Sequence, residues 1–146
     1  MFKHILLATD GSAASEHAAK LAADLARTHC AKLTTLYVVD PYPYLGVGET
    51  NPMGFQAYMA AAQAHAAQAH ASVAVLCDQP GPKINLQALL VEDVAAARGI
   101  VQTAQDQGVD LIVVGSHGRS GVVRLVLGSV AAKVVANATV PVLVTR

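Results

Sequence analysis

The sequence predicts a single α/β domain, residues 1–146, built on one doubly wound parallel sheet. Three observations carry that expectation. Short runs of apolar and β-branched residues alternate strictly with segments of helical length and spacing. One run, Val109 to Val114, has no polar alternation, the mark of a strand covered on both faces. The chain has 146 residues and is 53% hydrophobic, enough for one core and cramped for two.

The elements follow in order. Lys3 to Thr9 is an apolar run ending at Asp10-Gly11-Ser12, a turn signal and a helix N-cap together. Ala13 to His29 places Ala18, Leu21, Ala22, Leu25 and His29 at helical spacing. Leu33 to Val39, rich in β-branched and aromatic residues, reads as the second strand and stops at Asp40-Pro41-Tyr42-Pro43. A loop with Gly46, Gly48 and Pro52 leads to a long Ala-rich helix from Phe55 to Asp78. Pro80-Gly81-Pro82 breaks the chain before a third strand, Ile84 to Val91. Asp93 to Gln107 is helical and closed by Gly108; Val109 to Val114 is the fourth strand. A Gly-rich loop, Gly115 to Gly128, precedes the last helix, Ser129 to Asn137, and the last strand, Val140 to Thr145. Strict alternation of this kind implies right-handed crossovers between parallel strands.

Composition excludes several functions. Ten basic and ten acidic side chains cancel, which argues against a protein that grips bare nucleic acid, because counterion release needs clustered Lys and Arg. Ala57 to Leu76 is about as long as a membrane span. Gln63, His65, Gln68 and His70 interrupt it, and Ala inserts weakly, so a soluble helix is expected. The N-terminal apolar run is too short for a signal peptide, and a cytoplasmic location is expected. Cys30 and Cys77 match no zinc spacing and read as buried free thiols in a reducing compartment. His65 and His70, five apart, lie about 140° apart around a helix. Helical zinc pairs sit four apart on one face, so these two predict no metal site.

In doubly wound sheets, ligands bind beyond the carboxyl ends of the strands, where the strand order reverses. Two loops stand there: Ala8-Thr9-Asp10-Gly11-Ser12 after the first strand, and Gly115-Ser116-His117-Gly118-Arg119 onward after the fourth. Gly115 and Gly118 allow close backbone approach to a ligand and positive φ angles. Gly128-Ser129 opens a helix whose free amides and dipole favour an anion. Ser129 can cap that helix, donate its hydroxyl to a phosphate, or do both. Arg119 and Arg124 add positive charge. The combination suits a phosphate, yet it is neither a P-loop nor a GxGxxG fingerprint.

Gly115-x-x-Gly118, followed after nine residues by Gly128-Ser129, resembles the nucleotide-binding pattern of the universal stress protein family, in its ATP-binding branch. Asp110 to Val135 is similar to the family signature almost throughout, Lys3 to Ser12 resembles its first strand and turn, and the terminal VPVLVTR its last strand. The resemblance spans the whole chain in register. It implies a Rossmann-like sheet of order 3-2-1-4-5, with the reversal between strands one and four. It places Ala8 and Thr9 beside an adenine, the Val39 backbone at the adenine edge, and Asp10 at the ribose or at a phosphate-bound metal. Gly115 would approach the ribose. Ser116 and His117 belong to the same loop, and Gly118, Arg119, Gly128, Ser129 and Val130 would surround the phosphates. One feature departs from the family: its Gly-x-Pro after the third strand is replaced here, at Val94 and Ala96.

Plainer roles stand beside these. Asp10 also suits a turn or a helix cap, Arg124 a solvated surface, and His117 a surface loop. Tyr42, Tyr44, Phe55 and Tyr58 suit either a lid over the crevice or packing of the long loop onto the core. In the family order the last strand is an edge, and Val140 to Thr145 is too apolar to be left open. Pairing with its copy in a second chain, as a two-fold homodimer, is expected. The expected function is a cytoplasmic, homodimeric regulatory module of the stress response that binds ATP or AMP with Mg²⁺ carried by the phosphates. A slow ATPase or phosphotransferase, with only Asp10 and His117 available as base or water-orienting residue, and a nucleotide-free interaction module are the alternatives.

Overall fold

Five parallel strands form one sheet in the order β3-β2-β1-β4-β5. They and their crossover helices follow one another as β1 (His4–Ala8), α1 (Ala13–His29), β2 (Lys32–Val39), α2 (Pro52–Cys77), β3 (Asn85–Glu92), α3 (Ala96–Asp106), β4 (Leu111–Gly115), α4 (Ser129–Asn137) and β5 (Val142–Thr145). The computed structural model describes residues 1–42, 52–117 and 127–146. The order is the doubly wound one that the sequence implied, with the reversal between β1 and β4.

Alternation along the strands sorts the core into two layers. Ile5, Leu7, Leu33, Leu111 and Val113 face α1 and α2, together with Val73 and the alanines of α1. Leu6, Leu36, Ile112 and Val114 face the other way, onto Ile100 and Ala104 of α3 and Ala131 and Val134 of α4. The central strands β1 and β4 are therefore buried on both sides, which explains their unbroken apolar sequence. Among the described residues no helix is long and apolar enough to cross a membrane.

Several boundaries differ from the sequence reading, each for a local reason. α2 starts at Pro52, a residue suited to a first helical position because the amide it lacks would be unbonded there anyway. α3 starts at Ala96 because Asp93 adopts a left-handed φ of 59° and Ala95 is extended. Val109 and Asp110 precede β4; the Asp110 carboxylate instead accepts the amides of Lys3 and His4, at 2.8 and 3.1 Å. β5 begins at Val142, with the Pro141 carbonyl accepting the Ile112 amide. The buried face of α1 is Ser15, Ala18, Ala19, Ala22, Ala23 and Ala26, while Leu21 is exposed. Small side chains let α1 lie close to both the sheet and α2, so the larger residue turns outward. Cys30 is exposed and Cys77 half-buried, against the expectation of two buried thiols. Cys30 caps α1 in a left-handed conformation, φ 53°, which sends its side chain off the core.

Candidate functional site

The turn after β1 is built by its own polar side chains. Gly11 has φ +76°, a left-handed angle that favours glycine. Thr9 Oγ1 accepts the Gly11 amide at 3.2 Å and Asp10 Oδ1 accepts the Ser12 amide at 2.9 Å. Ser12 is the N-cap of α1, accepting the Ser15 amide on its hydroxyl. Asp10 is thus a turn-forming residue and not the helix cap. The Thr9 amide donates to the Leu36 carbonyl, which ties this turn to the end of β2.

The end of β4 is held from both sides. The Ser116 amide donates to the Thr145 carbonyl of β5 at 2.6 Å, and the Ser116 carbonyl accepts the Gly128 amide at 2.7 Å. Ser116 Oγ and His117 Nδ1 are 2.9 Å apart. Gly115 does not use the positive φ that a glycine permits. Its bare Cα matters because a Cβ there would lie 3.3 Å from the Ala14 carbonyl oxygen. At Gly128 a Cβ would come within 2.7 Å of the Ser116 carbonyl oxygen, closer than atoms tolerate.

Gly128, not Ser129, occupies the N-cap of α4, and no side chain caps this helix. The amides of Ser129, Val130 and Ala131 precede the first intrahelical acceptor pair, Ala132 to Gly128. They open on a cavity of about 660 Å³ above the carboxyl ends of β1, β2 and β4. That size lies within the roughly 300–1,000 Å³ of small-molecule sites.

Of the residues singled out from sequence, Ala8, Thr9, Asp10, Val39, Gly115, Ser116, His117, Gly128, Ser129 and Val130 all line this one cavity. Gly118, Arg119, Arg124 and Tyr44 lie outside the described residues. Tyr58, offered from sequence as either lid or packing, also lines it, as do Asp40 and His65, which the sequence reading did not place there. Tyr58 donates its hydroxyl to the Asp40 carbonyl at 2.8 Å. Its ring and that of Phe55 meet Tyr42 edge-on, at 5.3 and 5.7 Å. Tyr42, Phe55 and Tyr58 thereby pin the start of α2 to the end of β2. Among the described residues no group of three His, Cys, Asp or Glu side chains could hold a metal ion.

A five-stranded doubly wound sheet, with an uncapped helix beside the cavity at its reversal point, defines a small α/β protein of Rossmann-like fold. Its sequence says which kind. A sequence model described as the universal stress protein family matches residues 1–146, and the chain belongs to that family. It is 37% identical over 147 residues to a universal stress protein of Thermus aquaticus, covering 100% of both chains. In fold it is similar to the universal stress protein UspA from Lactobacillus plantarum, with TM-score 0.82, 31% identity and coverage of 99% and 98%. More distant members share the fold and were solved with nucleotides. One, in complex with cAMP, has TM-score 0.70 and 24% identity over 99% of this chain and 96% of its own. One from Archaeoglobus fulgidus, in complex with dAMP, has TM-score 0.67 and 20% identity over 100% and 98%. One from Arabidopsis thaliana, with AMP bound, has TM-score 0.68 and 18% identity over 98% and 90%.

Proposed function

We propose that this chain binds an adenine nucleotide, ATP or AMP, in the crevice above β1, β2 and β4, and acts as a homodimeric regulatory module in the cytoplasmic stress response. The observation that carries the reading is the α4 N-terminus. Ser129, Val130 and Ala131, whose amides no side chain caps, line a cavity of suitable size, beside Gly128, whose absent Cβ lets the Ser116 carbonyl pack against this helix end. The family relatives solved with AMP, dAMP and cAMP support the choice of an adenine nucleotide.

In this reading the amides of Ser129, Val130 and Ala131 hold the phosphates, with Gly115 to His117 alongside. Ala8, Val39, Leu36 and Ile100 offer the apolar walls for a base. With ATP, Mg²⁺ would arrive on the phosphates and neutralise their charge; Asp10, in the turn after β1, is a carboxylate lining the same cavity. The second chain would pair along β5, the edge of the sheet, where Val142, Leu143 and Val144 are each only partly covered.

The test begins with the purified protein. With no Trp and four Tyr, the chain absorbs little, so a co-purified adenine nucleotide would dominate near 260 nm and be identified by acid extraction and chromatography. Calorimetry with AMP, ATP and MgATP on nucleotide-stripped protein then gives the affinities. The absence of both a co-purified nucleotide and any uptake at millimolar concentration would falsify the reading in favour of a nucleotide-free interaction module.

A further inference from the structure

The residues of α2 that line the cavity are Tyr58, Ala61, Ala62 and His65, one stripe at three- and four-residue spacing. Tyr58 is committed to the Asp40 carbonyl, and the two alanines offer only methyl groups. His65 is exposed, and among the described residues no group hydrogen-bonds its ring. His70, five residues on, is turned the other way, with Nδ1 3.3 Å from Thr35 Oγ1 of β2. The two histidines therefore have separate settings, as their angular separation requires.

Packing one turn further along fixes where His65 stands. Ala69 is buried against Tyr37 and Val39, and its Cβ lies 3.5 Å from where a Cβ on Gly11 would be. His65, four residues before it, is thereby brought to the Asp10-Gly11 side of the cavity. The apolar walls lie toward β2 and α3, and the open amides lie at α4. In a nucleotide spanning those two ends, the sugar falls between them. Other hydroxyls in that stretch are already engaged. Thr9 Oγ1 donates to Ser15 Oγ at 3.2 Å, and Ser15 Oγ donates to the Ser12 carbonyl at 2.8 Å.

We propose that His65 is a sugar-binding residue, which hydrogen-bonds a ribose hydroxyl of the bound nucleotide and makes the crevice prefer ribonucleotides to deoxyribonucleotides. The proposal rests on the nucleotide reading above. A site that offers a partner to a hydroxyl discriminates against the analogue lacking it, because the protein group is then left unpaired.

The experiment is calorimetry on the full chain with AMP, 2′-deoxy-AMP and 3′-deoxy-AMP, for the native protein, His65→Ala and His65→Gln. One neutral hydrogen bond corresponds to about a three- to tenfold preference of the native protein for AMP over one deoxy analogue. His65→Ala is expected to weaken AMP by that factor and leave the discriminated analogue unchanged, and His65→Gln to recover part of the loss. Ala at an exposed helical position keeps the helix, and an unchanged Tm checks the fold. Equal weakening for all three ligands, or no weakening, overturns the assignment to the sugar. If the folded native protein binds none of the three, the nucleotide reading fails and this proposal falls with it.

Discussion

Two kinds of residue set the expectations at the smallest scale. Gly128 has an ordinary φ of −57°, so its glycine is required by space and not by conformation. Gly128→Ala forces a Cβ onto the Ser116 carbonyl, an overpacking that costs about 1–3 kcal/mol. Urea denaturation is expected to register that loss, and calorimetry at least a tenfold loss of nucleotide affinity. Gly108→Ala, in open space but at φ +64°, is expected to cost about 1–2 kcal/mol and leave binding alone. His4 and His70 govern the pH response. Burial, and for His4 also the Lys32 charge, hold both imidazoles below their usual pKa. The unfolded chain then binds protons first as acid is added. Their stabilising contribution is complete above the unfolded value of about 6.5 and is lost as pH falls from there toward the folded values. Denaturation midpoints at pH 7.5, 6.5 and 5.5 should fall in that order, and His70→Gln should flatten the trend. The glycines were legible in the sequence because spacing exposes them. His65 was not, because one imidazole on an alanine helix carries no pattern; only the neighbouring turn, with Ala69 against Gly11, aims it.

Among the elements, helix ends were read with mixed success, and side-chain chemistry explains the split. α1 has bounds that Ser12 announces, and Ser12→Ala is expected to cost about 1 kcal/mol, read by thermal denaturation, through loss of the bond to the Ser15 amide. α3 lacks such a cap, with Ala95 at that position, so nothing in the sequence marked its start. The stripe read for α1 holds at Ala18, Ala22 and Leu25 but not at Leu21, which is exposed because close packing selected Ala19, Ala23 and Ala26 beside them. β5 gives a sharper expectation. The carbonyls of Pro141 and Thr145 point toward β4, so in the alternating ladder the amide of Val142 points toward the open edge. Val142→Pro removes an outward donor and spares the inward ladder. Light scattering is expected to give a dimer for the native chain and a monomer for this variant; a monomer for both would dismiss the edge-pairing model.

For the whole molecule, strand order and crevice position followed from alternation and family resemblance together, since strand order depends on long-range pairing that local periodicity does not encode. The turn after β1 and the end of β4, far apart in sequence, lie side by side because the two strands are neighbours. A ligand that binds only the folded state adds about 2.7 kcal/mol at a hundred times its Kd. For a chain of this length AMP at that excess should therefore raise Tm by roughly 5 to 10 °C; calorimetric scans with and without AMP check it. One residue joins the two ends of this machinery. Ser116 takes the Gly128 amide on its carbonyl and gives its own amide to Thr145, so the cradle of α4 and the outer strand hang from the same hinge pin. Should a ligand in the crevice alter the affinity of a partner at the edge, that partner must alter the ligand's affinity by the same factor.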